Sequence, residues 1–121
     1  MSVVGRGLEV GFLPPDEVRS IAREGLARLP LDGRRVLVLI PDGTRTMPMP
    51  GLFDVIDEAV GKRAAALDFL VALGTHAPMS DAQLSQLAGR TVVDGRAGER
   101  RLFNHRWDDP AAFATLGTIP A

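Results

Sequence analysis

Apolar residues form two short runs in the middle of the chain, Val36 to Ile40 and Ala66 to Leu73, the second interrupted only by Asp68. Each run ends abruptly in turn residues, which is typical of strands that are buried on both faces of a parallel sheet. Around and between these runs, apolar residues recur at the three- and four-residue spacing of an amphipathic helix. This spacing predicts three helices, over residues 18–29, 52–60 and 80–88.

The alternation of strands and helices predicts the fold class. Strand–helix–strand–helix–strand order is typical of an α/β fold, and we expect three layers with a mostly parallel sheet joined by crossover helices. The less regular remainder predicts short strands at 3–10, 91–93 and 101–103 and a short helix at 111–116.

The polar residues that follow the two central strands form the candidate site. The first loop reads Pro41-Asp42-Gly43-Thr44-Arg45, and the second reads Gly74-Thr75-His76-Ala77-Pro78. Loops that leave the carboxyl ends of neighbouring parallel strands meet at one edge of the sheet, where α/β proteins bind ligands. We therefore expect Asp42–Arg45 to face Gly74–His76, with the following helix N-termini favouring an anion.

Composition narrows the classes of function. The chain has 121 residues, 45% of them hydrophobic and 24% charged, which is the size and balance of one globular domain. The net charge of −1 and the lack of tyrosine argue against nucleic-acid binding. No cysteine is present, so thiolate chemistry and Cys-based zinc sites are excluded. No apolar stretch approaches membrane-spanning length, and we expect no membrane contact and a cytoplasmic location.

Each candidate residue has a structural interpretation beside the functional one. Asp42-Gly43 is also a common turn signal, and Thr44 could cap the next helix. Arg45 could be a solvated charge, but between two strand ends it is suited to clamp a carboxylate. His76 follows Gly74-Thr75 at a strand end, where it could act as general acid and base. For the other histidine, His105, a structural or supporting role is favoured.

Three motifs in order resemble the nickel-dependent lactate racemase family, in its N-terminal part. The family's Asp-x-Thr-Arg-Pro stands here as Asp42-Gly43-Thr44-Arg45-Thr46, and its Gly-x-His-Arg as Gly74-Thr75-His76-Ala77. The family's Asn-His segment with its acidic follow-on is similar to the stretch from Asn104 to Asp109. Thr46 and Ala77 depart from the family pattern, so the substrate could be another 2-hydroxy acid.

The resemblance implies a Rossmann-like fold and a racemase or epimerase activity. It implies that His76 is the catalytic base for the 2-hydroxyl proton, while hydride moves from C2 to a nickel-pincer nucleotide. Arg45, with Asp42 and Thr44, would bind the substrate, a small 2-hydroxy acid, and would orient its carboxylate. Gly74 and Thr75 would contact the cofactor, and no residue of this chain is assigned to the metal.

The family's cofactor lysine and nickel ligands lie further along the sequence than the region that this chain resembles. The only lysine here, Lys62, falls near a helix end away from the loops. We therefore expect residues 1–121 to be a truncated N-terminal α/β domain of a longer enzyme, which binds no nickel tightly and is inactive alone. Its partners would be the missing C-terminal part and, through uncovered apolar surface, a second copy.

Two other classes of function stay open on the sequence. The same crevice could belong to a non-catalytic module that binds anions or nucleotides. The polar loops could also be simple turns of a structural domain. The first alternative predicts that His76→Ala barely changes binding, and the second predicts no binding at all.

Overall fold

The computed structural model describes residues 2–121, which form one small sheet and three α-helices. The elements in chain order are α1 (Pro15–Ala27), β1 (Arg35–Pro41), α2 (Met49–Val60), β2 (Ala66–Ala72), α3 (Asp81–Ala88), β3 (Arg96–Ala97), β4 (Arg100–Asn104) and a 3₁₀ turn at Pro110–Ala112.

The sheet is mostly parallel. Its strand order is β1-β2-β4-β3, with β1, β2 and β4 parallel to one another and β3 antiparallel to β4. The register pairs Val38 with Phe69, and Phe69 with Leu102. Two crossover units, β1–α2–β2 and β2–α3–β4, build this arrangement, so the predicted α/β class with a mostly parallel sheet is confirmed.

The core lies between the sheet and the crossover helices. Phe53 of α2 stacks on Phe69 of β2 with ring centroids 4.3 Å apart, and neither ring is exposed. Leu67 and Val71 of β2 and Leu84 of α3 are also buried in this cluster. α1 packs on α2. The buried side chains of β2 therefore all lie on the face of the sheet that α2 and α3 cover.

The prediction that the first strand is buried on both faces is wrong. Burial alternates along β1, where Ile40 is buried while Leu37 is 54% and Leu39 66% exposed. The reason is topological: both crossovers step across the sheet in the same direction, so α2 and α3 lie on the same face. Residues 2–121 thus form two of the three expected layers, and no described helix covers the face of Leu37 and Leu39.

The ends of the third helix are specified locally. Ser80 and Gln83 form the predicted capping box at the start of α3. Gly89 ends the helix with φ +68°, and a Cβ there would lie only 2.7 Å from Cβ of Pro50. Glycine thus serves both the left-handed turn and the close approach of α2. No described helix is long and apolar enough to cross a membrane.

Three of the weaker sequence predictions do not hold. Residues 3–10 form no strand and do not pair with the sheet; residues 6–8 line a cavity together with residues of α1 and α2 instead. The strand predicted at 91–93 is reduced to one bridge between Val93 and Arg96. The helix predicted at 111–116 is only the 3₁₀ turn, which Asp109 caps by accepting the Ala111 N–H. The strand predicted at 101–103 is confirmed as β4.

Candidate active site

Two loops leave the same edge of the sheet side by side. β1 and β2 are parallel and end in register, with Pro41 opposite Ala72. The chain then turns at Asp42–Arg45 after β1 and at Gly74–His76 after β2, and Gly74 has a φ of +61° that favours glycine. The expected meeting of the two loops is confirmed, because the side chains of Asp42 and His76 are in contact.

Asp42 is the centre of this contact. It is only 6% exposed and is the buried charged residue of the described chain. Its Oδ1 accepts hydrogen bonds from the Thr44 backbone N–H at 3.1 Å and from the Thr44 hydroxyl at 2.5 Å. Its Oδ2 lies 2.5 Å from Nδ1 of His76. Protein donors therefore satisfy both carboxylate oxygens.

These donors keep Asp42 ionised. The Thr44 hydroxyl, followed by the hydrogen bond with His76 and the Thr44 N–H, lowers the pKa of Asp42 to about 2. An ionised carboxylate can only accept, so the proton of the short contact must lie on Nδ1 of His76. In the neutral ring this leaves the lone pair on Nε2. The His76 side chain is 54% exposed, so solvent and ligands can reach it.

Arg45 provides a positive charge beside this pair. Its backbone N–H donates to the Asp42 carbonyl at 3.3 Å, which fixes the turn. Its guanidinium is exposed, and among residues 2–121 no carboxylate or carbonyl accepts a hydrogen bond from it. A guanidinium held at a strand end without a protein partner is available to a carboxylate ligand.

Two cavities flank the pair, and both are lined by Asp42, Arg45 and His76. The larger has a volume of about 540 Å³, and its remaining wall is mainly apolar, with Met49, Met79 and other side chains. The smaller, about 310 Å³, lies against Gly74 and Thr75. The larger cavity falls within the size range of small-molecule sites, with few polar groups set among apolar ones.

Some of the other contacts that the sequence predicted differ from those in the structure. Thr44 does not cap α2, because the helix begins only at Met49 with Pro48 at the N-cap position; the Thr44 hydroxyl donates to Asp42 instead. Asp42 bonds His76 and Thr44 and makes no side-chain bond to Arg45. A direct role of Asp42 and Thr44 in substrate binding stays a prediction, as does the cofactor role of Gly74 and Thr75.

His105 lines neither of the two cavities beside the Asp42–His76 pair. Its backbone N–H donates to the Val71 carbonyl at 3.1 Å, which continues the pairing of β4 with β2. Its ring packs edge-on against Phe113, with centroids 5.2 Å apart. These contacts agree with the structural role that the sequence favoured.

Sequence reasoning missed two residues that contact the His76 loop. Trp107 donates its indole N–H to the His76 carbonyl at 3.0 Å. Asn104 bonds both backbone groups of Met79 at the end of the same loop. Both residues belong to the third family motif, the stretch from Asn104 to Asp109, and this membership was the signal that could have identified them. The sequence alone did not explain what that motif does.

The described residues do not form a metal centre. Among residues 2–121, no group of three or more histidine, aspartate or glutamate side chains could hold a metal ion. Lys62 lies between α2 and β2, and therefore at the amino edge of the sheet, opposite the loops of Asp42 and His76. A nickel cofactor attached through lysine does not fit the donors that these residues offer.

Comparisons with known proteins show which family and which solved structure this chain is similar to. A family model described as the lactate racemase N-terminal domain matches residues 18–121. A crystal structure of a Thermotoga maritima protein, determined in a structural-genomics programme, is 26% identical with a TM-score of 0.68. The match covers 85% of this chain and 25% of that one, so this chain spans about a quarter of its length. No curated protein matches the chain.

Proposed function

Because the chain belongs to the family of lactate racemase N-terminal domains, we propose that it supplies the base and the carboxylate clamp of an isomerase. The proposed reaction interconverts the enantiomers of a small 2-hydroxy acid. The observation that carries the proposal is the Asp42–His76 pair next to the unpartnered guanidinium of Arg45, on the wall of a cavity. One site thus contains a group for each functional group of such a substrate.

His76 would act on the hydroxyl. Asp42 holds the proton on Nδ1, so Nε2 is the atom that accepts the proton of the substrate's 2-hydroxyl. The carboxylate then stabilises the imidazolium that forms, because an ionised Asp42 attracts the new charge. When the proton returns to oxygen, His76 is restored to the same tautomer.

Arg45 would bind the carboxylate. A guanidinium presents two parallel N–H groups that match the two oxygens of a carboxylate. With the carboxylate held there and the hydroxyl directed to His76, two of the four groups on C2 are fixed. The third group, the side chain, would face the apolar wall that includes Met49 and Met79.

Inversion at C2 also requires a group that would accept the hydride leaving that carbon and return it, and family resemblance assigns this chemistry to a nickel-pincer nucleotide. The described residues present neither a metal-binding group nor a lysine near His76. We therefore assign no step of the reaction to that cofactor on this chain. The proposed activity belongs to a protein longer than these 121 residues, and an intact mass above 12.9 kDa for the natural polypeptide would agree with this.

The test compares lactate with propionate, which has the same carboxylate and lacks only the 2-hydroxyl. Trp107 is the only tryptophan and contacts the His76 loop, so its fluorescence is a local reporter of binding. We expect binding of D- and L-lactate in the millimolar range, about −4 kcal/mol, and weaker binding of propionate. His76→Ala should remove the difference between the two acids, and Arg45→Ala should weaken both.

Arg28→Ala is the matched control, because Arg28 is an exposed arginine of the α1 end, paired with Glu24. It should leave both affinities unchanged. Equal affinity for lactate and propionate in the unaltered chain would contradict the proposal and favour the non-catalytic anion-binding module. If neither acid bound at concentrations well above the expected millimolar range, the purely structural domain would be favoured.

A further inference from the structure

The loop that carries His76 follows β2, and it is hydrogen-bonded to the end of the neighbouring strand β4 as well as to β2 itself. His76 donates its backbone N–H to the Leu73 carbonyl at 3.0 Å, within the turn that follows β2. The other contacts of this loop come from the end of β4 and the residues after it. β4 ends beside β2, with Asn104 opposite Val71, so its last residues reach the same edge of the sheet.

Asn104 holds the far end of the loop. Its Oδ1 accepts the Met79 N–H at 2.9 Å, and its Nδ2 donates to the Met79 carbonyl at 2.9 Å. The amide carries its donor and its acceptor on separate atoms, so one side chain bonds both backbone groups of Met79 at once. Met79 is followed directly by Ser80, which caps α3, so the loop cannot slide toward the helix without breaking these bonds.

Trp107 holds the loop at the histidine itself. Its indole N–H donates to the His76 carbonyl at 3.0 Å, although 41% of the residue is exposed. The backbone of His76 is therefore bonded on both sides, and its ring is bonded to Asp42. More than half of the His76 side chain is exposed, so its direction depends largely on these bonds.

We propose that Asn104 and Trp107 are positioning residues for His76, which hold its loop so that the imidazole stays on Asp42. The chemistry of the base does not require either residue to touch a ligand. The proposal also accounts for the third sequence motif, since Asn104 and Trp107 both lie in it. It rests on contacts within this chain and stands whether or not the chain acts on a 2-hydroxy acid.

The test reads the Asp42–His76 contact directly. The His76 hydrogen bond is one of the causes that lower the pKa of Asp42 to about 2. If the loop loosens, the pKa of Asp42 should rise toward its ordinary value of 3.8, while the bonds from Thr44 persist. A carboxyl-carbon NMR titration measures this pKa, and amide exchange of His76 measures the stability of the loop.

Trp107→Phe removes the indole N–H and keeps an aromatic ring, and Asn104→Ala removes both bonds to Met79. We expect each variant to raise the pKa of Asp42 and to speed exchange of the His76 amide, about fivefold for the one hydrogen bond lost in Trp107→Phe and by more for the two lost in Asn104→Ala. Asn104→Asp keeps the acceptor for the Met79 N–H and loses the donor, so its effect should be intermediate. Trp107→Phe alters an exposed residue, so the folded state should persist.

Gln83→Ala is the matched control. It removes another amide side chain bonded to backbone, at Ser80, one residue beyond Met79, but this bond belongs to the cap of α3. It should lower helix stability and leave the pKa of Asp42 at about 2. The proposal is overturned if that pKa stays at about 2 in both Trp107→Phe and Asn104→Ala, or if Gln83→Ala raises it as much as they do.

Discussion

The two faces of the same sheet differ sharply in what covers them. On one face, Phe69 and Val71 of β2 are fully buried under α2 and α3. On the other face, Leu37 and Leu39 of β1 and Phe103 of β4 are 54%, 66% and 43% exposed. The open face carries leucines and a phenylalanine too, although the Asp68–Arg101 ion pair lies among them. What leaves its apolar side chains exposed is the direction of the crossovers, which place both helices on the other face.

The covered face supports the candidate site, and the open face does not. Both loops of the site lead into helices, α2 and α3, that pack on the covered face. Asp42 and His76 are thus held in place through the core, by strand ends on one side and helix starts on the other. We infer that substitutions on the covered face disturb both fold and site, while matched substitutions on the open face cost less stability and leave the site intact.

The largest expected difference is between two phenylalanines. Phe69→Ala removes a fully buried ring that stacks on Phe53, and large-to-small changes of this kind cost about 3–5 kcal/mol. Phe103→Ala removes a half-exposed ring on the open face whose main partner is the Arg101 guanidinium, so the expected cost is about 1 kcal/mol or less. Urea unfolding followed by circular dichroism measures both. Equal costs would mean that the open face is covered in solution.

A smaller difference is expected between two aspartates. Asp57 of α2 pairs with both Arg90 and Arg100, while Asp68 of β2 pairs with Arg101 on the open face. Asp57→Asn leaves the mostly buried Arg100 guanidinium without a carboxylate and leaves Arg90 with Asp54 alone, and we expect a loss of about 2 kcal/mol. Asp68→Asn should cost less, because the Arg101 side chain is 41% exposed and remains hydrated. Unfolding in denaturant at neutral pH decides between them, and a larger loss for Asp68→Asn would contradict the comparison.

Local sequence signals predicted most of the fold and the neighbourhood of the site. The apolar runs before Asp42 and Gly74 are strands, the Ser80–Gln83 box starts α3, and the family resemblance of the three motifs is confirmed. The meeting of Asp42 with His76 followed from parallel order alone, because neighbouring parallel strands end at one edge.

The features that sequence reasoning missed depend on side-chain directions. Burial of β1 on both faces was expected from its continuous apolar run, but a run does not reveal which face the helices occupy. The bonds from Asn104 to Met79 and from Trp107 to His76 join residues 25 and 31 positions apart. Such contacts require the position of β4 beside β2, which no local pattern specifies.

The loss of stability at acid pH is a sharper test of the sheet edge that carries Asp42 and His76. The Thr44 hydroxyl, then His76, lowers the pKa of Asp42 to about 2 from 3.8, so this carboxylate stabilises the fold above about pH 4. That contribution is lost as pH falls through 4 toward 2. Thr44→Val removes the largest cause, so it should raise the pKa of Asp42 and reduce this acid-dependent loss.

The measurement is a carboxyl NMR titration with unfolding curves at pH 6 and pH 3. Arg101→Gln is the control on the open face, where Arg101 lowers the pKa of Asp68 by a hydrogen bond. It should raise the pKa of Asp68 and leave that of Asp42 unchanged. If Thr44→Val left the pKa of Asp42 at about 2, the hydroxyl would not be the main cause.

The smallest effect on stability should come from Leu39→Lys on the open face. Leu39 is 66% exposed, and surface changes of this kind usually alter the free energy of unfolding by about 0.5 kcal/mol or less. Its effect on association should be large, because a charge would interrupt the apolar surface of Leu37, Leu39 and Phe103 through which we expect copies of the chain to associate. Light scattering at high concentration should give a larger mass for the unaltered chain than for Leu39→Lys. A monomer in both cases would show that exposed leucines on this face do not suffice for association, and the contrast between the faces would then concern stability alone.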